Sequence, residues 1–508
     1  MNKNDIRNNV INELNLEIYE NSIFIKNDEI YFVKGPPKEK ALVKLSPIKY
    51  QNVNNLDGIE NDLEIDKKPY KMKICPLNHK NAFEMQRLFP NLLPKPLGLK
   101  SVIGLGDRLG IATPGHIKAV KESSLNPVFA QQSIREMKRT ERTPQQVLDD
   151  AFWGVFISGW ERDWGADADH LKDKESIQAC INAGYTMFTI DVGDFVDNKA
   201  YSYTKSGISK KIKDFPWGKI EDNLTNFIDR YVDNRIIIDG KTLIQVDKEL
   251  LFPAFIKYGY AIIQAVDLFR YVVDKKGIDS FDFEVSIDET DIPTTPFEHY
   301  LIVKELSRLG VRITSIAPRF VGKFEKGVDY IGDINKFASE LKKHFQIMSL
   351  LGPYKIGLHS GSDKFRIYPT ASDILGQYFH LKTSGTSYLE ALKVIAECDL
   401  ELLKEISKFC IIKYQEDRKS YFVSADVNRF PNFDNIRKND IDEIFENLHF
   451  RQIMHVTYGS VLSEKKSDNT YKFKPRIYQI LLENEDRYFE YLYKHIKRHI
   501  TPFISGNA

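Results

Sequence analysis

The fold class this sequence predicts is α/β, a (β/α)8 barrel of the TIM type carrying a small N-terminal α+β region and a C-terminal helical extension. Three observations predict it. From about residue 100, short apolar runs end in polar or glycine-rich tips and are followed by helical patterns, at 102–107, 127–132, 165–170, 186–191, 282–289, 312–318, 355–359 and 378–382. Eight strand-then-helix units are what parallel strands with crossover helices produce, and eight strands close a barrel. Within the runs the residue character alternates. Phe283, Val285 and Ile287 share one face of their run, while Glu284, Ser286 and Asp288 share the other, as expected for strands with helices on one side and a polar interior on the other. Finally, 508 residues at 42% hydrophobic and 28% charged bury a large core easily.

The elements follow in order. Residues 1–98 hold strand-like runs at 22–26, 30–34 and 40–45, broken by Gly35-Pro36-Pro37 and by an Asn/Asp-rich stretch at 51–64. Leu93-Pro94-Lys95-Pro96 closes that region and marks a boundary. The barrel is expected over 99–395, with an insertion at about 196–280, and helices over 396–508, clearest at 389–410 and 476–499. No repeat of fixed period and no low-complexity segment interrupts this order.

Composition excludes several classes of partner. Seventy-two basic residues against seventy-one acidic ones leave a net charge of +1, so no positive field is available for a nucleic acid. The short basic stretch at 205–213 reads as a solvated face. Four scattered cysteines with no CxxC pair fit a reducing compartment. The polar first residues lack a signal-peptide core, and no apolar run is long enough for a membrane. A cytoplasmic location is expected. Oligomeric state is left open.

The chemistry gathers at the strand ends. Gly165-Ala166-Asp167-Ala168-Asp169-His170 places its aspartates on one face and His170 at the tip, and Lys355-Ile356-Gly357-Leu358-His359 brings His359 inward; Asp191 ends its run in the same way. Histidines and carboxylates from different strands converging on one barrel mouth suit a divalent metal with open positions for substrate. Of the other histidines, His79, His344, His449, His495 and His499 are expected at the surface, and His455, in a strand-like run at 451–459, is expected to be structural. The segments Gly104-Leu105-Gly106-Asp107-Arg108-Leu109-Gly110, Gly361-Ser362-Asp363-Lys364 and His380-Leu381-Lys382-Thr383-Ser384-Gly385-Thr386-Ser387 could each receive a hydroxylated, anionic ligand. The GxG spacing alone is weak support for a dinucleotide, and no nicotinamide is expected.

Two resemblances add to this reading. Asp169-His170-Leu171, the passage 177–191 and His359-Ser360-Gly361-Ser362 resemble the zinc-dependent class II aldolases. In that family an Asp-His pair ends a strand, the Asp acting as acid/base and the His as a metal ligand, and a later His is another ligand. The more specific resemblance is to the tagaturonate epimerase family. It is carried by Gly106-Asp107-Arg108-Leu109-Gly110-Ile111-Ala112-Thr113-Pro114-Gly115-His116, Gly165-Ala166-Asp167-Ala168-Asp169-His170-Leu171-Lys172 and the 380–387 segment. It implies a barrel enzyme that interconverts D-tagaturonate and D-fructuronate with a divalent metal. One ion is expected, zinc first, with manganese, nickel or cobalt as alternatives. Where class II aldolases carry a further His, this chain reads Ala317-Pro318-Arg319-Phe320. The third ligand then falls to Glu289 or its neighbour Asp288.

The resulting expectation assigns the metal to His170, His359 and Glu289, and catalysis to Asp169 as general base and acid together with Glu289. Asp107, Arg108, Asp288, Arg319, Lys382, Thr383 and Ser384 are expected around the ketouronate substrate. The two sugars differ at a carbinol that the ketone does not acidify, so retro-aldol cleavage, rotation of the aldehyde and re-addition is the expected chemistry, with the metal as Lewis acid. The alternatives are a class II aldolase releasing two fragments, a neutral-ketose 4-epimerase such as a fructose/tagatose enzyme, and a sugar-binding or sensor protein without turnover.

Overall fold

The computed structural model describes residues 14–48, 55–238, 241–383, 385–433 and 436–504. The chain begins with an antiparallel sheet of β1 (Phe24–Lys26), β2 (Glu29–Lys34), β3 (Ala41–Pro47), β4 (Ile59–Ile65) and β5 (Lys68–Pro76), in the order β1-β2-β3-β5-β4. The run at 59–65 is a strand, not the break expected from its Asn/Asp content. Its polar residues, Glu60, Asn61, Asp62 and Glu64, are exposed at the sheet edge, so polarity there costs nothing.

Eight parallel strands then close a barrel: β6 (Val102–Gly104), β7 (Asn126–Ser133), β8 (Gly165–Leu171), β9 (Met187–Asp191), β12 (Asp282–Ile287), β13 (Ser315–Pro318), β14 (Lys355–Leu358) and β15 (Phe379–Lys382). Between β9 and β12 lies an antiparallel pair, β10 (Arg235–Ile238) and β11 (Lys241–Gln245). β15 pairs with β6 through Lys382 and Gly104, closing the ring. Each expected run lands on one barrel strand.

Alternation explains the strand faces. Phe283, Val285 and Ile287 are buried against the surrounding helices, each contributing roughly 1.5–3 kcal/mol, while Glu284 and Ser286 point into the barrel. Gly357 makes this interior possible: a Cβ there would lie 2.9 Å from Ala317 Cβ and 3.2 Å from Glu284 Oε2. Helix starts are set locally, as at Thr143 and Thr295, each in a reciprocal cap with Gln146 or Glu298.

The 196–280 segment is only partly an addition. Its last part is the long helix Lys248–Lys276, which packs on the helices Pro296–Arg308 and Lys174–Ala183 and serves as the crossover between β9 and β12. The C-terminal helices form a second core with Leu109 and Ala112 from the barrel. Asp399 divides the stretch at 389–410 between the helices Thr386–Cys398 and Leu400–Asp417, and Asn484 divides the stretch at 476–499 between Lys474–Glu483 and Glu485–Ile504. The last helix returns to the barrel through Ile496, Ile500 and Phe503. Among the described residues, no helix is long and apolar enough to cross a membrane.

Candidate active site

Strict alternation along β8 would turn Asp167 and Asp169 inward and His170 outward. The pairing with β9 shifts register between Ala168 and Leu171, and His170 adopts a left-handed backbone with φ 55°. That conformation costs a non-glycine residue about 1–2 kcal/mol. It turns the imidazole to the same mouth as its neighbour. His170 Nδ1 lies 2.7 Å from Asp169 Oδ1, and its Nε2 faces Asp288 Oδ1 at 3.7 Å. His359, one residue past β14, arrives from the other side: Nδ1 is 3.2 Å from the same Asp288 oxygen and Nε2 is 2.6 Å from Glu284 Oε1. The two rings are 5.1 Å apart.

Ligand-type atoms of His170, Asp288 and His359 therefore lie within 4.8 Å of one another. Each histidine spends its other nitrogen on a carboxylate, Asp169 or Glu284. This is the arrangement that fixes ring orientation and tautomer in metal sites, and the donor set suits a divalent cation.

Beneath the triad lies a charge network drawn from five strands. Lys382 Nζ contacts Asp167 at 2.8 Å, Asp169 at 2.7 Å, Glu284 at 2.9 Å and Thr189 Oγ1 at 2.7 Å. Glu284 also accepts from Ser315 and lies 2.9 Å from His380 Nδ1. Burial alone would raise Glu284, but Lys382, His380 and His359 hold its carboxyl well below the usual range. For Asp169 burial is likewise overcome, by His170 and Lys382. Asp167 moves the other way, pushed up by burial despite Lys382.

Among the described residues, a pair of clefts borders the mouth. One, of about 440 Å³, is bordered by Asp288, Arg319, Lys326, His359, Tyr421 and Phe422. The other, of about 420 Å³, is bordered by Ser133, His170, Lys172 and Asp191. Asp191 is 2% exposed; its Oδ1 accepts from the Gly193 N–H at 2.8 Å, and Lys172 Nζ stands 3.3 Å from Oδ2. Burial pushes its carboxyl up.

Several expectations are corrected by these positions. Glu289 does not join the histidines. It stands on the rim of the mouth, past the end of its strand, with its carboxylate on Arg135 at 3.4 Å, and Asp288 takes the place beside the histidines. Arg108 is not free for substrate: it is buried, bound to Glu136 Oε1 at 2.6 and 2.9 Å and to the His455 carbonyl at 2.8 Å, and lies 3.6 Å from the centre of the Tyr458 ring. It fastens the C-terminal helices to the barrel. Asp107 receives the backbone N–H groups of Leu109, Gly110 and Ala112 and shapes its own loop. Lys382 is surrounded by carboxylates, which leaves it no part in holding an anion. Thr383 donates to the Gly104 carbonyl at 2.7 Å across the barrel seam. Ser384 lies outside the described residues. Arg319 does reach the mouth, where its Nη1 donates to the Asp288 carbonyl at 3.3 Å. Asp169 reaches it too, as the partner of His170.

His455 sits on the helix Leu448–Val456 rather than a strand. His344, His495 and His499 are buried, contrary to expectation. His495 and His499 cluster with Asp363, but His499 Nε2 accepts from the Asp363 N–H at 2.9 Å and its Nδ1 donates to the His495 carbonyl at 2.8 Å. With both nitrogens committed, that cluster pins the last helix to the barrel. Arg135 and Lys326 were missed because they sit beyond the strand ends, where no alternation marks them.

Comparisons with known proteins agree with this architecture. A family model described as tagaturonate epimerase matches residues 19–503. A tagaturonate/fructuronate epimerase of Thermotoga maritima is 44% identical over 428 residues, covering 84% of this chain and 85% of that protein. A glycerol-complexed crystal structure of a fructuronate-tagaturonate epimerase from Cohnella laeviribosi superposes with a TM-score of 0.89 at 32% identity, covering 97% of each chain. The native crystal structure of that enzyme gives 0.88, covering 99% of each. An aldolase of Escherichia coli K12 aligns with a TM-score of only 0.32 at 10% identity and carries no argument. On the family match and the 44% identity, the chain belongs to the tagaturonate epimerase family.

Proposed function

We propose that this protein is an isomerase that interconverts D-tagaturonate and D-fructuronate by breaking and remaking a carbon–carbon bond at a metal centre. The observation that carries the reading is the triad of His170, Asp288 and His359, with each histidine backed by a carboxylate. These three would hold a divalent ion, which would supply a Lewis acid for the substrate ketone.

The carbinol that differs between the two sugars is not acidified by the ketone, so removal of its C–H proton is slow. Removing the proton of its hydroxyl lets the adjacent C–C bond break, leaving an aldehyde on one fragment and the electron pair on the ketone fragment. Rotation of the aldehyde and re-addition to its other face inverts the centre, and the proton returns to the new alkoxide. Asp191 is placed for this proton in preference to Asp169: it lines the cleft beside His170, and burial raises its affinity for a proton. Asp169, held charged by His170 and Lys382, is a weak base and a good orienting group. Arg319 and Lys326, neither with a carboxylate partner among the described residues, face the substrate carboxylate.

The test is conversion of D-fructuronate in D₂O by chelator-stripped protein, with and without Zn²⁺, Mn²⁺, Ni²⁺ or Co²⁺, followed by NMR. Tagaturonate is expected only with metal and without deuterium at the inverted carbon. Deuterium there overturns the C–C cleavage, conversion without metal overturns the metal's role, and no conversion with any metal overturns the activity.

A further inference from the structure

Among the described residues, Arg135 and Glu289 border both of these clefts of the mouth. Their ion pair stands between the side holding His359, Asp288 and Arg319 and the side holding His170 and Asp191. A sugar acid with its carboxylate near Arg319 and its reacting hydroxyl near Asp191 has to cross this line.

The pair is built to part. Its contact, Arg135 Nη2 to Glu289 Oε1, is long at 3.4 Å, and the side chains are 33% and 38% exposed. The guanidinium does not depend on Glu289 for its place. Nη1 donates to the Ser420 carbonyl at 3.1 Å, and the group lies 5.0 Å from the centre of the Tyr421 ring. Its Nε is buried with no hydrogen-bond partner among the described residues. Arg319 is backed in the same manner, 5.3 Å from the centre of the adjoining Phe422 ring. The C-terminal extension thus sets one aromatic ring behind each arginine, on two sides of one cleft.

We propose that Arg135 is a specificity-determining residue for the substrate carboxylate and that Glu289 is its placeholder: the incoming carboxylate displaces Glu289 from Arg135, and the two clefts become one. The exchange trades a loose, partly exposed ion pair for a charge-assisted contact at the Nη2 that Glu289 gives up. It also explains why an acidic residue stands at the entrance to a site for anions. With Glu289 on Arg135, the mouth stays closed to neutral sugars, which cannot compete for the guanidinium.

This inference rests on the uronate substrate proposed above, and the experiment separates the two. KM for D-fructuronate and D-tagaturonate is measured on the metal-loaded full chain for the wild type, Arg135→Ala, Arg135→Lys, Glu289→Gln and Glu289→Ala, with a thermal melt of each. Loss of a merely structural ion pair would move KM in one direction from either side. The exchange moves it in opposite directions. Arg135→Ala is expected to raise KM about 10- to 100-fold, with Arg135→Lys between it and the wild type because a point charge replaces the fork. Glu289→Gln and Glu289→Ala are expected to lower KM about two- to fivefold. Shifts of the same sign, or no shift on the Glu289 side, overturn the exchange. If Arg135→Ala does not fold, Arg135→Lys and the Glu289 variants decide alone. A wild type that does not interconvert the uronates overturns the proposed function instead.

Discussion

Lys382→Met removes the one ammonium held by Asp167, Asp169 and Glu284 while preserving most of the side-chain volume. Lys382 is 3% exposed, and its Nζ lies within 2.9 Å of an oxygen from each of the three carboxylates. Breaking a buried ion pair by deleting one partner costs about 3–5 kcal/mol, because the charges left behind cannot be resolvated. At about 2.1 cal/mol/K of unfolding entropy per residue, 508 residues melting together shift by about 1 °C per kcal/mol. The expected fall is therefore about 3–5 °C at pH 8. The pH dependence has a definite sign. Asp169 and Glu284 have depressed carboxyls in the folded protein, so they contribute stability above about pH 4 that is lost as the pH falls through their folded values. Without Lys382 these carboxyls rise, and protonation relieves the variant at low pH. Its deficit against the wild type should shrink between pH 8 and pH 5. Differential scanning calorimetry of metal-free protein reads both quantities. A variant melting within 1 °C of the wild type at pH 8, or a deficit as large at pH 5, would refute the network as the source of charge balance in the barrel.

Two further outcomes test separate parts of the structure. Asp169→Asn should weaken zinc binding about 10- to 100-fold, measured against a chromophoric chelator, whereas Asp191→Asn should leave that affinity in place and lower kcat about 10²- to 10⁴-fold. The reverse pattern would return the proton transfer to Asp169. Burial pushes Glu390 up to about 7, and in its neutral form it can donate to His495 Nδ1 at 3.3 Å. A raised carboxyl means that the folded state binds the extra proton, so stability falls as pH rises from about 4.5 to about 7, by up to about 3 kcal/mol. Glu390→Gln keeps a neutral donor and should melt about 3 °C above the wild type at pH 8 but level with it at pH 5; equal melting at both would refute the buried neutral acid.

The sequence by itself determined whatever depends on near neighbours along the chain. Strand and helix periods follow from local alternation, so all eight barrel strands, their apolar outer faces and the inward turn of Glu284, Asp167 and His359 were legible. So was the third carboxylate: parity alone selects Asp288 over Glu289, and the choice of Glu289 set that rule aside. What only the tertiary structure decided is which charged group meets which. Arg108 looked like an anion fork on a glycine loop, but Glu136 and the carbonyl of His455, 347 residues away, capture it. Lys382 looked like an anion-binding lysine until Asp169, 213 residues distant, and Glu284 closed around it. His344, His495 and His499 sit on the apolar stripes of their helices, in step with Leu341, Ile347, Leu492, Ile496 and Ile500, so their burial was legible as well and the surface expectation overlooked that spacing. His170 owes its inward aim to a bulge that exists only in register with β9. A side chain's face is written within a few residues of backbone; its electrostatic partner is chosen by chain closure, because Coulomb and hydrogen-bond energies depend on distance in space and are indifferent to distance along the chain.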